Sequence, residues 1–304
     1  RPACNNCGFC ASYGCVIEAK GDPIAMLRRA LLTGRCDIRP QSVAMRITTD
    51  DGAKLATGVE YINAAGEQAY VTAQAVVVAC GAFETPRLLL RSNIANSSDL
   101  VGRFLMFHMQ TIVLGHFPFR LHAYKGRDVT HLMDDPIVGD EQSRLAARDA
   151  GLPFLRGGIV EHGGSGHPIM EAIHTQMGRD HSRTMIDSPR RDKMMAFTMQ
   201  GEDLPQATNR VDLDPALTDV WRQPSGRVTY ASHRHDIACA SHWGPRLAEV
   251  MTEAGANHTM WVTSPGIPGS IAEGLHPISK HWMGTTRMGT DPRSSVCDPW
   301  QRTW

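Results

Sequence analysis

Apolar positions near the start of the chain predict one helix followed by three short strands. Ile24, Leu27 and Leu31 recur at the spacing of one helix face. Asp22-Pro23 is a helix-start signal, and Gly34 is a candidate for the C-cap. Strand-like segments separated by Asp-Gly and Ala-Gly turn signals follow at residues 42–48, 55–62 and 68–73.

A continuous apolar run over residues 75–79 predicts a strand that is covered on both faces, as in a parallel sheet. Gly81 follows this run, and Thr85-Pro86 is predicted to start a helix. A helix N-terminus offers unpaired N–H groups and a positive dipole end, which suit the oxygens of a pyrophosphate or a flavin. Strand–turn–helix units occur throughout α/β proteins, so this unit alone does not assign a function.

The middle of the chain, about residues 108–240, predicts a second, mainly antiparallel region with long connections. Its strand-like stretches are 111–117, 195–200, 209–213 and 226–230. A helix is predicted over 245–254, with one apolar face formed by Leu247, Val250, Met251 and Ala254.

Composition narrows the class of protein. The 304 residues carry 31 basic and 31 acidic side chains, a balance that argues against nucleic-acid binding and against attraction to an anionic membrane. Apolar residues make up 42%, which allows a sizeable core, and the length suggests about two domains. The sequence contains no apolar run long enough to predict a transmembrane helix.

The cysteines are unevenly placed. Cys4, Cys7, Cys10 and Cys15 lie close together, whereas the other four are scattered and are interpreted as buried thiols. Closely spaced thiolates can bind a metal, and the C-x2-C-x2-C run has a common iron–sulfur spacing. Zinc is an alternative, as is a loop whose thiols merely pack.

Two histidine patterns are candidates for chemistry. His281 stands close to Gly284 and Gly289, and such a position allows the backbone to approach a flat ligand. The alternative is a structural histidine at a turn. His233-x-His235 has the spacing of one strand face, but the sequence identifies no third ligand for a metal.

Several stretches, in this order, carry a resemblance to a known family: residues 14–21, 36–47, 56–61, 76–90, 101–108, 201–205, 209–214 and 281–298. They resemble the glucose–methanol–choline (GMC) family of FAD-dependent oxidoreductases, in particular its gluconate 2-dehydrogenase-like large subunits. Residues 76–90 match the second family signature closely, and 281–298 match the C-terminal block almost completely. The departures are Phe104, where Asn is usual, and Cys297 in place of Val.

The resemblance implies an α/β (α+β) fold. Residues 1–107 are expected to be part of an FAD-binding, Rossmann-like domain. Residues 108–274 are expected to form a substrate domain built on an antiparallel sheet, and 275–304 to return to the FAD domain.

The resemblance also implies a function, the FAD-dependent oxidation of an alcohol group on a small molecule such as a sugar or sugar acid. His281 stands at the family's base position, and histidine suits this role because its ordinary pKa is about 6.5. Backbone at Val43 is expected to face the adenine. The other expected neighbours of the cofactor are Cys80, Gly81, Thr85, Pro86, Gly284, Thr285 and Thr286.

Two family features are absent from the sequence. There is no G-x-G-x-x-G turn, which the family carries in a βαβ unit expected before Arg1, and the second catalytic residue is expected beyond Trp304. The chain is therefore interpreted as an internal fragment that is expected to be inactive on its own.

An iron–sulfur cluster at the four clustered cysteines would suit a dehydrogenase that passes electrons to a cytochrome or small-subunit partner. The best-known iron–sulfur members of the group use an adjacent Cys pair, which is a departure here. Two other interpretations stay open: a metal or iron–sulfur electron-transfer module, and an inactive remnant of a flavoenzyme.

Overall fold

A computed structural model describes residues 2–8, 10, 14–21, 23–52, 54–123, 125–127, 129–164, 172, 177–179, 181–188, 192–263 and 279–304. These residues group into two compact units. The five-stranded unit comprises Arg1–Pro23, His108–Asp203 and Ser232–Ser279, and the three-stranded unit comprises Ile24–Phe107, Leu204–Ala231 and Lys280–Trp304.

The grouping divides the chain differently from the sequence analysis, which kept 1–107 and 108–274 whole. Residues 1–23 belong to the five-stranded unit and 204–231 to the three-stranded unit. The predicted boundary at 274/275 and the predicted N-cap Asp22 lie outside the described residues. The functional labels of the predicted domains stay predictions.

The helices are α1 (Ile24–Leu32), α2 (Gly81–Ser92), α3 (Asp135–Val138), α4 (Glu141–Asp149), α5 (His181–Asp187) and α6 (Arg234–Glu253). The strands are β1 (Val43–Thr49), β2 (Ala56–Ile62), β3 (Gln68–Thr72), β4 (Met109–His116), β5 (His131–Met133), β6 (Ile159–Gly164), β7 (Met194–Gly201), β8 (Arg210–Thr218), β9 (Pro224–Thr229) and β10 (His258–Val262). Of the helices in the described ranges, none is both long and apolar enough to span a bilayer.

In the three-stranded unit, helix α2 packs on the antiparallel sheet β1-β2-β3. Leu88 and Leu89 of α2 share a buried cluster with Ile47 of β1. The hydroxyl of Ser92 accepts the N–H of Ile47 at 2.9 Å and donates to the carbonyl of Leu88 at 2.7 Å. The end of α2 is thereby fixed to the middle of β1.

Residues 75–79 form no strand, contrary to the prediction from their apolar run. Val77 is 89% exposed, whereas Val76 and Val78 are half-buried against the α2 cluster. A strand requires a neighbour that pairs with its N–H and C=O groups, and no described residue provides one here. All three sheets in the described part of the chain are antiparallel. The only parallel pairing among the described residues is the isolated bridge between Met288 and Cys297, which lies outside these sheets.

Helix α2 begins at Gly81 and not at Thr85-Pro86. Pro86 therefore lies inside the helix, where it supplies no N–H donor. It is buried, and packing in the unit's interior offsets the lost hydrogen bond.

The five-stranded unit is built on an antiparallel sheet in the order β10-β4-β7-β6-β5. Alternate residues of β4 are buried, as expected for a strand with one covered face. Helix α6 covers that face, and its Trp243, Leu247 and Met251 pack with Val113 and Met199 of the sheet. The opposite face of β4 is only half-buried.

Helix α6 is longer than the predicted helix 245–254, because it begins at Arg234. Gly244-Pro245 resembles a helix break in sequence. In the structure, a Cβ at Gly244 would lie 2.6 Å from the ring of Trp261, so the glycine permits close packing on the sheet. Burial of Ala240 and Trp243 then outweighs the local cost of the Gly-Pro pair.

His233 and His235 belong to the start of α6 and not to a strand face. His233 is the N-cap, and its Nδ1 accepts the backbone N–H of His235 at 3.2 Å. His235 is buried, and its Nε2 donates to the carbonyl of Phe154 at 2.7 Å. Both side chains therefore serve the helix start.

A half-buried ion pair links α2 to the β8–β9 hairpin. Arg87 Nη2 lies 2.6 Å from Asp219 Oδ2, and Arg87 Nε donates to the carbonyl of Pro224 at 2.9 Å. Burial raises the pKa of Asp219, but the N–H of Gln223 and the Arg87 guanidinium more than offset this, and the pKa lies below its ordinary value.

Asp219→Asn is expected to lower the free energy of unfolding by about 1.5–3 kcal/mol near neutral pH, because the half-buried Arg87 keeps only exposed Glu84 as a counter-charge. The lowered pKa means that the stabilisation is present above the unfolded value of about 3.9 and is lost as the pH falls through the folded pKa. Urea unfolding of variant and wild type at several pH values measures the difference between their free energies of unfolding. Asp37→Asn, in an exposed pair with Arg39, is the control and should change stability by under about 1 kcal/mol. If the difference between the variant and wild type does not become smaller in acid, the Arg87–Asp219 pair does not stabilise the fold in this way.

Gly102 allows two segments of the three-stranded unit to approach closely. Its φ is +86°, and a Cβ there would overlap the carbonyl oxygen of Val211.

Gly102→Ala is expected to cost more than about 3 kcal/mol of stability. Gly66→Ala has a similar positive φ of +81° but open space around it, so it should cost only about 1 kcal/mol. If thermal unfolding shows the same loss of stability in both variants, the positive φ angle alone sets the cost and the close contact with Val211 does not add to it.

Candidate functional site

The segment that carries His281 lies beside the start of helix α2. The ring centroids of Trp282 and Phe83 are 5.0 Å apart, and a Cβ on Gly81 would lie 3.6 Å from Trp282 Nε1. Residues about 200 positions apart in sequence thus meet at one end of α2. His281, which directly precedes Trp282, is exposed at this place.

A backbone crossing holds this segment in position. The N–H and C=O groups of Met106 and Met283 pair reciprocally at 3.0 and 2.9 Å. Gly102 donates to the carbonyl of Thr285 at 2.7 Å. At Gly284, φ is +87° and a Cβ would overlap the carbonyl oxygen of Phe104, so only glycine fits without displacement.

Two non-glycine residues in this crossing have positive φ angles, Phe104 at +62° and Thr285 at +65°. Asn tolerates this conformation better than most residues, which explains physically why Asn suits position 104. The Phe104 ring instead lies under the guanidinium of Arg287, 4.9 Å from its centroid. This cation–π contact offsets part of the backbone cost.

The start of α2 presents backbone N–H groups without a side-chain cap. Cys80 is the N-cap residue, its side chain makes no capping hydrogen bond, and both it and Gly81 are exposed. Its own N–H donates to Thr85 Oγ1 at 3.1 Å. Because the helix dipole adds positive potential here, this end can bind anionic oxygens.

The structure places the predicted cofactor neighbours unevenly. Cys80, Gly81 and Gly284 lie at the juxtaposition of α2 with the 281–286 segment. Pro86 and Thr285 are buried, and the Thr285 hydroxyl donates to the carbonyl of Gly284 at 2.7 Å. They can shape the site, but in this arrangement their side chains support the backbone.

The other predicted neighbours lie elsewhere in the three-stranded unit. Thr286 is half-buried, and its carbonyl lies 3.6 Å from Cys297 Sγ. Val43 begins β1, the strand that packs on α2 and is hydrogen-bonded to the helix's C-terminal end. Val43 thus begins a strand whose Met45 and Ile47 contact the end of α2 that is opposite to Cys80.

Sequence reasoning missed the aromatic residues of this site. The ring of Trp282 is tilted by 33° against that of Phe83, Phe83 lies 6.2 Å from Phe107, and Phe107 meets the ring of Tyr230 edge-on at 4.9 Å. The signal that could have found Trp282 is a large aromatic residue directly after the candidate base. Its partners come from three distant segments, which no local pattern connects.

The four clustered cysteines are free thiols in the five-stranded unit. Within the described ranges, which include all four, no three His, Cys, Asp or Glu side chains are arranged to hold a metal ion. Cys15 Sγ accepts the N–H groups of Lys20 and Ala19, and hydrogen bonds from Lys20 and its neighbours lower the pKa of this thiol. The arrangement of the four thiols among the described residues does not fit an iron–sulfur cluster.

A curated relative of known activity matches most of the chain. The 2-methyl-1,2-propanediol dehydrogenase of Mycolicibacterium austroafricanum is 32% identical over 283 residues, which cover 88% of this chain and 48% of that protein. The gluconate 2-dehydrogenase flavoprotein of Pantoea cypripedii is 23% identical over 314 residues, covering 99% of this chain and 50% of that protein. The chain thus spans about half the length of these relatives.

A solved structure of formate oxidase from Aspergillus oryzae RIB40, in a variant made to study FAD modification, shares the fold. It aligns with a TM-score of 0.50 at 17% identity, over 73% of this chain and 44% of that one. The mixed α/β fold expected from the sequence is confirmed. GMC oxidoreductase family models match residues 1–110 and 205–304. The chain is a member of the GMC oxidoreductase family.

Proposed function

We propose that this chain contributes the cofactor-side site of a flavoenzyme that oxidises an alcohol group on a small molecule. One observation carries the proposal: the exposed His281 segment lies beside the exposed, uncapped start of α2. The family of the chain supports the same class of chemistry. The names of the two relatives, a diol dehydrogenase and a gluconate dehydrogenase, support a substrate with hydroxyl groups.

The residues at this place fit FAD as the cofactor. Gly81 has no side chain and its φ of +75° turns the chain into the helix, so a ligand can approach the backbone closely. The N–H groups that follow favour the anionic oxygens of a dinucleotide. Val43, on the strand beside the other end of α2, is proposed for the adenine. FAD is an elongated molecule with a flavin at one end and an adenine at the other, so the proposed contacts at both ends of α2 suit it.

When bound, FAD would supply the acceptor for the hydride that leaves the alcohol carbon. We assign to His281 the acceptance of the hydroxyl proton on one of its ring nitrogens. Its exposure leaves the imidazole accessible to a small molecule. The backbone pairing of Met283 with Met106 limits the movement of the chain just after the imidazole, which helps to orient the base.

The iron–sulfur hypothesis receives no support from the cysteine geometry described above, and no electron-transfer step is assigned to Cys4, Cys7, Cys10 or Cys15. Transfer of electrons to a cytochrome or a small subunit stays a prediction from the resemblance.

In an FAD-loaded enzyme of full GMC length that contains this chain, His281→Ala is expected to slow flavin reduction by about 10²–10⁴-fold, because the hydroxyl proton loses its acceptor. Anaerobic stopped-flow mixing with 2-methyl-1,2-propanediol, gluconate and simple sugars measures this rate. The FAD content should not change, since the imidazole is not placed to hold the cofactor. His131→Ala, an exposed histidine of the other unit, is the control and should leave the rate unchanged.

Two results would count against the proposal. A rate that is the same in His281→Ala and wild type would remove the base from this position. An enzyme of full GMC length that contains this chain and takes up no FAD from excess cofactor would overturn the flavoenzyme itself and favour the inactive-remnant interpretation.

A further inference from the structure

Three adjacent strands of the five-stranded sheet place two imidazoles and a thioether in one row. His116 of β4 pairs directly with His258 of β10 on one side and with Met194 of β7 on the other. Side chains of directly opposed residues point to the same face of a sheet, with Cβ atoms about 4.5–5.5 Å apart. The row lies on the half-buried face of β4, opposite the face that α6 covers.

The row borders a cavity of about 430 Å³. The lining also includes Met260 and Leu114, and none of the described residues that line it carries a carboxylate. The His116 and His258 ring centroids are 6.4 Å apart, and the ring planes are inclined by 41°. Metal–nitrogen bonds of about 2 Å allow two imidazole centroids on one ion to be at most roughly 6.5 Å apart, so the observed spacing lies at the upper end of this range and fits a near-linear pair.

A neighbouring amide orients His116. Its Nδ1 lies 2.9 Å from Asn257 Oδ1, and the N–H of Asn257 donates to the His116 carbonyl at 2.9 Å. Because an amide oxygen only accepts hydrogen bonds, Nδ1 is the donor in this contact, and in the neutral imidazole Nε2 then carries the lone pair. This is the arrangement by which proteins orient a histidine that binds metal.

We propose that His116, His258 and Met194 bind copper(I). Imidazole binds several transition metals, but a thioether selects soft ions, and copper(I) accepts both. The flexible side chain of Met194 can adjust to the ion. The absence of carboxylates from the described lining disfavours the hard cations Mg²⁺ and Ca²⁺. The site lies within one unit and does not depend on the proposed function.

A second cross-strand histidine pair in the same sheet provides a natural comparison. His131 and His162 stack with centroids 5.0 Å apart and planes only 24° apart, and the hydroxyl of Thr130 contacts both rings. Because these two rings are stacked face to face, their nitrogens do not point towards one shared ion. The β7 residue opposite His162 is Phe197, so no thioether completes this pair.

The test is anaerobic titration of the full chain with copper(I) alone, in competition with a colorimetric copper(I) chelator. The accessible thiols of wild type and of every variant are first alkylated, because free cysteines would otherwise bind the ion. We expect one copper(I) per chain. His116→Gln should weaken binding at least about 100-fold, and Met194→Leu about tenfold, because Leu keeps the volume and removes the sulfur. Asn257→Leu should also weaken binding about tenfold through the orientation of His116. His131→Gln is the matched control and should leave binding unchanged.

Zinc provides the selectivity test. Met194→Leu should leave the affinity for Zn²⁺ within about twofold, since zinc prefers nitrogen over a thioether. Circular dichroism of each variant establishes that it is folded, and His258→Gln replaces His116→Gln if the latter unfolds. Copper(I) binding that survives both histidine variants, or that His131→Gln abolishes, would overturn the proposal. The same holds if wild type binds no copper(I).

Discussion

The backbone crossing between residues 102–106 and 283–285 is the constraint on which the candidate site depends. It combines reciprocal hydrogen bonds of Met106 and Met283 with Gly284, whose missing Cβ lets the carbonyl oxygen of Phe104 approach closely. Its positive φ angles are individually unfavourable for Phe104 and Thr285. The surrounding hydrogen bonds and burial overcome that cost, and the segment bearing His281 is consequently held beside α2.

The site also shows how one helix can serve two purposes. The C-terminal half of α2 supplies Leu88 and Leu89 to the core and is fixed to β1 by Ser92. Its N-terminal end keeps exposed N–H groups, with no side-chain cap at Cys80. A helix that is anchored at one end can lack a side-chain cap at the other, because core packing supplies the stability that capping would otherwise add.

The five-stranded sheet uses its two faces differently. One face is packed against α6 and forms a continuous core around Val113, Met199 and Met251. The other face is half-buried at β4 and contains the histidine–methionine row. Because the side chains of a strand alternate, the same sequence can satisfy a core on one side and keep donor atoms accessible on the other.

Local patterns determined much of the secondary structure. The strands β1, β2 and β3 follow the predicted segments within one or two residues, and β4, β7, β8 and β9 overlap the stretches predicted in the middle of the chain. The motifs also determined the family, and the family models match the same regions of sequence. These features depend on residues close together in the chain, where periodicity and turn chemistry act directly.

Only the tertiary structure decided the remaining features. Residues 75–79 have the composition of a buried strand, but a strand also requires a hydrogen-bonded neighbour, and that is a property of distant residues. The N-terminal half of α6 depends on its packing against Trp261, which no helix propensity encodes. The meeting of Trp282 with Phe83, and of His116 with His258 and Met194, likewise follows from pairing between distant segments. The sequence identifies the side chains that can bind ligands or take part in catalysis, whereas pairing between distant segments decides which of them lie close together.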